Sequence, residues 1–410
     1  METQAALVQA RAQANRNALA RLCQVRPAWT DVVTARAALG LPAFTMLHAG
    51  PPLADPRQPP APILSSAVLC CLLEGWAANE TEAEQLISSG RVTLSPAQQV
   101  GAVTPLAAVI SPSTTLVQVT DLNSEQPARH AWSLLGSGVG PQIRFGSRNP
   151  GILPRLRWRD SVLAATLAAA LRHGPVELNP IALAGVNGGD DLHGRTSSAN
   201  AALCKQLLPT LPVDAPEEVA AMLHGTPLFF LTLWMAACHL MLNAAANAGS
   251  DPSSTLVVGF AGNGEQFGIR LAGKPQQWFV EPGRPPSGPR IDPALTAGVL
   301  PVIGDSGAID AVGFGAQALS FSPEVNEALQ HALPAGWRKR PALLAGSHPA
   351  FSALDLRCGL DAARVAACGF APMAAIAMID AAGMHGLLGR GLFLPSDDLF
   401  KQASAALGAG

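Results

Sequence analysis

Charged side chains are scarce in this sequence: Asp, Glu, Lys and Arg make up 14% of its 410 residues, against 49% hydrophobic ones. With so few charges, much of the surface must be Ala, Gly, Ser, Thr and short apolar side chains, a composition suited to self-association or to a partner. An excess of one sign is also missing, since 27 Lys and Arg oppose 29 Asp and Glu and leave a formal charge of -2. That removes the basic surplus needed to neutralise a run of phosphates, and nucleic acid with it. The seven cysteines are scattered singles plus the Cys70-Cys71 neighbours, with no CxxC and no Cys/His pair at metal spacing. They read as buried free thiols in a reducing, cytoplasmic compartment, and no metal or cofactor is implied.

Residues 1–24 mix Glu2, Arg11, Arg16 and Arg21 into an Ala-rich stretch with no apolar core, which makes a helix and not an export signal. No GxSxG and no Cys with an evident His partner is present, so covalent catalysis lacks its usual signature. Internal repeats and heptads are absent too. Thr226–Ala246 is nearly long enough to span a bilayer, at ~1.5 Å rise per residue. Its His239 and Asn243 share one helical face and no Lys or Arg anchors its ends, so it is read as a buried core helix with no membrane partner.

This length allows two or three domains. Ala43–His48 and Thr114–Thr120 read as strands and Ile63–Ala78 as a helix, giving an N-terminal α/β domain over residues 1–151. A helical middle domain follows over 152–250, with stops at Gly174 and Gly225, breakers at Pro209 and Pro212, and an end at Gly249 and the turn Ser250–Ser254. Thr255–Ala261 and Gln266–Ala272, joined through Gly262-Asn263-Gly264, open a C-terminal α/β domain over 251–410. The fold class is mixed α/β (α+β): two α/β domains flanking a helical one. Glu281–Pro293 reads as a loop able to clamp a ligand.

The densest polar cluster is Gly188-Gly189-Asp190-Asp191-Leu192-His193-Gly194-Arg195. On a helix Asp190 would face His193, and Asp191 would face Arg195, each acid orienting one base; an Asp N-cap with an ion pair is the plainer alternative. The run Val302–Asp310 reads as a strand, a small-residue turn (Gly304, Asp305, Ser306) and a helix whose N-terminus could take a phosphate or carboxylate; the plainer alternative is that Asp305 or Ser306 simply caps it. Gly259–Gly268 looks like a dinucleotide loop, but the strand-like Gln266–Ala272 follows it where a helix is required. Arg270 could point into a pocket from that strand. Arg144, Arg148, Arg155, Arg157 and Arg159 are the one basic concentration, of which one or two could bind a small anion. His48 sits where a strand meets a rigid turn, either facing a ligand or playing a structural part.

Taken in order, LHAGPP (47–52), EGWA (74–77), RFG (144–146), GDDLHGR (189–195), FFLTLWMAA (229–237), NGEQFGIR (263–270), WF (278–279) and GDSGAID (304–310) resemble the YlbE-like family over nearly the whole chain. The resemblance implies a subunit of oxamate carbamoyltransferase in allantoin breakdown, with FdrA-like and YlbF-like partners. The reaction implied is phosphorolysis of carbamoyl-oxamate to oxamate and carbamoyl phosphate. The family's Gly-Asp-Glu-x-His-x-Arg motif falls on Gly189, Asp190, Asp191, His193 and Arg195, and its Gly-Asp-Ser loop on Gly304, Asp305 and Ser306. Elsewhere this sequence departs from the pattern: Gln98-Gln99 replace a His pair, Gly262 an Arg, His239 a Lys, and apolar Ala375–Ala381 a polar run. The candidate catalytic residues are Asp190, Asp191, His193 and Arg195, and the candidate ligand contacts are His48, Arg144, Asn263, Arg270, Gly304, Asp305, Ser306 and Asp310. Alternatives are a silent paralogue binding a small carboxylate or a partner subunit, or a metal-dependent amide hydrolase using Asp190, Asp191 and His193.

Overall fold

A computed structural model describes residues 2–125, 127–246 and 251–407; Gly249 and Ser250 of the expected turn lie outside them. Helices and several sheets are mixed along the chain, as the sequence predicts. The first sheet has five strands in the order Ala102–Val103, His130–Leu134, Thr115–Asp121, Pro27–Thr34 and Val176–Glu177, antiparallel except for its first pair. The second has four antiparallel strands, ordered Lys274–Pro282, Gln266–Leu271, Val257–Asn263 and Ile303–Gly304. Two further antiparallel pairs join Ala374–Ile379 to Leu387–Phe393 and Leu344–Ser347 to Arg357–Leu360, while Thr45–His48 lies parallel to Thr93–Pro96.

The long apolar segment is the helix Phe229–Ala245, and every residue of it except Asn243 is buried. A helix apolar on all sides belongs in a core, and this one packs against the opening helix Glu2–Gln24, both main sheets and the short helix Gly307–Val312. No single described helix is long and apolar enough to cross a membrane; only the pair Glu217–Gly225 and Phe229–Ala245, bent by 72°, could by length and composition together.

Asn15, on the opening helix, ties it to the C-terminal part of the chain. Its amide donates to Thr255 Oγ1 (2.9 Å) and Asp361 Oδ2 (3.1 Å) and its oxygen accepts the Thr255 N–H (2.8 Å). Removing a buried amide with this many partners would leave each of them unpaired. The expected hairpin forms, with Gly264 at φ 87° and the Asn263 oxygen accepting the N–H groups of Glu265 (2.9 Å) and Gln266 (2.7 Å). The expectation of uniformly buried thiols fails in part: all seven cysteines are free, but Cys368 is exposed and Cys23 half-buried.

Candidate active site

Gly188–Arg195 is a loop between the helices Leu178–Asn187 and Ser197–Leu207, not a helix, so the expected pairing of acids with bases changes. Asp190 pairs with the Arg195 guanidinium and accepts the Ala199 N–H at 2.8 Å, tying the loop to the start of the second helix. Asp191 folds the turn by accepting the N–H groups of His193 (3.2 Å), Gly194 (3.0 Å) and Arg195 (2.7 Å). Leu192, at φ 66°, takes a left-handed conformation that costs a non-Gly residue energy and here swings His193 inward. The partner of His193 is therefore Asp310: Nδ1 lies 2.7 Å from Asp310 Oδ2, which corrects the pairing with Asp190.

Asp310 is fully buried, and its other oxygen accepts the N–H groups of Ala316 (2.8 Å) and Ala375 (3.2 Å). Asp310 thus fixes the His193 ring and does not itself line the cavity. Gly315 is required beside this pair, because it holds φ 58° and an added Cβ would lie 2.6 Å from Asp310 Oδ1. Burial by itself would depress the His193 pKa, but the charge and hydrogen bond of Asp310, helped by the charge of Asp191, outweigh it and raise the net value. With Nδ1 on Asp310, Nε2 is the ring atom left for the cavity that His193 lines.

That cavity is about 310 Å³ and also takes in Arg144, Ser306 and, at an exposed strand position, Arg390. Arg144 stands apart from its basic neighbours. Arg148 pairs with Glu80 and Glu84, Arg155 donates to the Ser137 carbonyl and Arg159 is buried on Asp160. Among the described residues Arg144 has no carboxylate partner; its Nε is buried without a hydrogen bond and its guanidinium lies 4.8 Å from the centre of the Phe145 ring. Burial lowers its pKa to about 10, which still leaves it a cation at neutral pH. A cation held this way is costly until an anion arrives.

Of the Gly304-Asp305-Ser306 turn, only Ser306 lines the cavity. Asp305, buried, turns away from the cavity and its own oxygens accept the N–H groups of Gly50 (2.9 Å) and Thr104 (2.9 Å) and the side-chain amide of Gln98 (2.7 Å). The Ala308 and Ile309 N–H groups are taken by the Asp305 and Ser306 carbonyls, and neither side chain caps the helix. Gly304 itself needs no side chain: at φ 123°, a Cβ would meet the Leu106 nitrogen at 2.8 Å. Gln98 passes the connection on, accepting from Arg270 Nη2 at 2.6 Å, while Arg270 also donates to the Pro275 carbonyl (2.9 Å) and lies 5.0 Å over Trp278. Burial raises the Asp305 pKa to about 6 despite these donors and the Arg270 charge, and burial lowers that of Arg270 to about 10.

The other sequence candidates are placed elsewhere. Arg195 bonds Glu324 (2.8 Å), Asp190 and the Gly188 carbonyl, outside the cavity lining. Asn263 spends its amide on the Pro51 and Pro52 carbonyls and its oxygen on the turn, and it does not line the cavity. His48 is buried with Nδ1 2.8 Å from the Ala49 carbonyl, and burial drives its pKa down to about 4, leaving it neutral. Asp190, Asp191 and His193 face different partners and do not converge as metal ligands. Sequence reasoning missed Gln98 as a bridge and Leu106, which lines the cavity at a left-handed φ of 48°. Arg390 was missed as well, though the glycines on both sides of it in Gly389-Arg390-Gly391 were a signal of close backbone packing.

On this mixed α+β scaffold a carboxylate-paired imidazole and a guanidinium without a carboxylate partner line one cavity. By sequence the chain belongs to the family described as oxamate carbamoyltransferase subunit AllG, whose pattern matches residues 92–306. It is 32% identical over 325 residues to the oxamate carbamoyltransferase subunit AllG of Escherichia coli (strain K12), covering 77% of this chain and 75% of that one. It is also 27% identical over 413 residues to the uncharacterized protein YahG of the same organism, covering 96% of this chain and 85% of that protein. A crystal structure of a conserved protein of unknown function from Enterococcus faecalis V583 superposes with a TM-score of 0.89 at 25% identity, covering 98% of this chain and 99% of the other. The enzyme agrees with the sequence resemblance; the family's designation is AllG where that resemblance used YlbE-like.

Proposed function

We propose that this chain is a cytoplasmic subunit of a carbamoyltransferase assembly, and that its cavity binds the anionic amide whose carbamoyl group moves to or from phosphate. The observation that carries this reading is the unpaired Arg144 guanidinium on the same cavity as the Asp310-paired His193. Arg144 would hold the substrate carboxylate, giving a half-buried, unpaired guanidinium a charge-assisted hydrogen bond. His193 would deliver its Nε2 proton to the leaving amide nitrogen as the bond between that nitrogen and the carbamoyl carbon breaks. A phosphate oxygen forms the new bond to that carbon, and the proton shed by hydrogen phosphate returns to the imidazole. For carbamoyl-oxamate the products are oxamate and carbamoyl phosphate. No protein nucleophile and no cofactor enter, and the contribution of the site is placement and charge. FdrA-like and YlbF-like chains are the partners proposed, and further copies of this chain are another source of self-association.

The test is to purify the assembly from cells expressing this chain with those partners and to follow carbamoyl phosphate formed from carbamoyl-oxamate and phosphate. Turnover that is lost in Arg144→Met and His193→Gln, with the assembly intact, supports the reading. Turnover that survives both variants sinks it. The apolar wall formed by Ala375, Ile376 and Ala377 gives the silent-paralogue reading one observation of its own. Binding of a small carboxylate without turnover in the full assembly would favour that alternative.

A further inference from the structure

Apart from Arg144, His193, Ser306 and Arg390, the side chains around this cavity are apolar, among them Leu106, Phe145, Leu228, Leu231, Ile376 and Leu387. Leu228 and Leu231 come from the start of the central helix, Ile376 and Leu387 from the hairpin, and Leu106 is held there by a left-handed backbone that only surrounding packing can sustain. Carbamoyl-oxamate, taken above as the example of the anionic amide, is polar along its whole length and would leave these walls without a partner, so the inference keeps the anionic-amide reading and departs from that example in its acid. A volume of about 310 Å³ also exceeds what such a compact anion fills, and sites of roughly 300 Å³ or more are the size that drug-like, largely apolar ligands occupy.

We infer that the cavity selects a carboxylate bearing an aliphatic or phenyl-sized substituent, with Arg144 on the carboxylate and the substituent against Leu106, Leu231 and Ile376. This rests on the reading of Arg144 as the anion contact. A ureido or amide group on such an acid would lie towards His193, so the carbamoylated substrate would be an N-carbamoyl acid with an apolar side chain.

The full chain is titrated with oxamate, propionate, butyrate, 4-methylpentanoate and 3-phenylpropionate by calorimetry. Affinity should rise through the carboxylate series by about fourfold per added methylene, and oxamate should bind more weakly than 4-methylpentanoate. Ala377→Phe, which fills the cavity from the hairpin, should abolish the gain for the two largest acids and leave propionate unchanged. A flat series, or oxamate binding best, overturns the inference. Arg144→Met separates the two claims. Loss of all binding upholds the anion contact, whereas an unchanged rise with size keeps the apolar selectivity and removes Arg144 as the anchor. No binding of any acid at millimolar concentration overturns both.

Discussion

Asp305 and Ser306 are neighbours in one turn, yet they serve opposite kinds of environment. Asp305 enters a closed hub, where Gly50, Thr104 and Gln98 donate to it and Gln98 links it to Arg270. Ser306 lines the cavity, together with His193 and an Arg144 that has no partner. The hub buries its charges, whereas the guanidinium at the cavity is half-buried. In the hub the protein supplies nearly all the hydrogen bonds itself, leaving only Arg270 Nε without one, while the cavity keeps a cation in want of an anion. Satisfied buried charge specifies structure, and a charge withdrawn from water without a partner marks where a ligand is to be held.

The largest expected effect is in the hub. Asp305→Ala would strip the acceptor from two buried N–H groups and an amide and leave Arg270 without its nearby negative charge. Stability should fall by about 3–5 kcal/mol, the usual cost of breaking a buried charged network by removing one member. Urea denaturation followed by circular dichroism measures this, and a midpoint equal to that of the parent would refute the division between hub and cavity. Arg144→Met should do the reverse. Removing an unpaired cation should leave stability unchanged or slightly higher, while carbamoyl transfer by the assembly drops by about 10²–10³-fold.

The comparison sharpens with pH. The His193 pKa is raised above its ordinary value near 6.5, so its pairing with Asp310 contributes stability that is fully present below 6.5 and is lost as pH rises through the raised folded value. Asp305 is also raised, to about 6 from 3.8, so its contribution is greatest below 3.8 and is lost as pH rises through 6, where it ionises inside the hub. Denaturation midpoints of the parent and His193→Gln, measured between about pH 6 and 9, should converge at the alkaline end, where the imidazole is neutral in both states of the parent. His193→Gln should also cut turnover by about a hundredfold, the lower end of general acid catalysis. Curves that stay parallel across that range would mean that His193 is not held as a cation by Asp310.

Much of this scaffold was legible because it depends on local pattern. The largely apolar Phe229–Ala245, interrupted by His239 and Asn243, reads as a core helix, and Asn-Gly between two extended runs reads as a hairpin turn. The polar motifs were legible as motifs but not as contacts. His193 finds Asp310 across 117 positions and Gln98 finds Asp305 across 207, separations at which spacing rules carry no information. The helical spacing assumed for Gly188–Arg195 failed because Gly188, Gly189 and Gly194 permit a loop that Asp191 then folds by gathering three N–H groups. Arg144 could be singled out from Arg148, Arg155 and Arg159 only after their partners were seen.

Arg195 tests the smallest and most specific part of the comparison. As a sequence motif it belongs with His193, and by that logic Arg195→Ala should abolish turnover. By its contacts it belongs with the hub type: its guanidinium is committed to Asp190, to Glu324 at 2.8 Å and to the Gly188 carbonyl, and it does not line the cavity. Arg195→Ala should therefore cost about 1–2 kcal/mol of stability, from the fully buried Asp190 carboxylate left with fewer donors, and lower turnover severalfold at most through loosening of the loop that carries His193. Asp190→Asn would keep the contact to the Ala199 N–H and lose less. A thermal melt and a turnover assay on the same preparation decide it, because a loss of turnover as large as that of Arg144→Met, with the melt unchanged, would move Arg195 into the reacting site and erase the distinction between satisfied and unsatisfied charge at this loop.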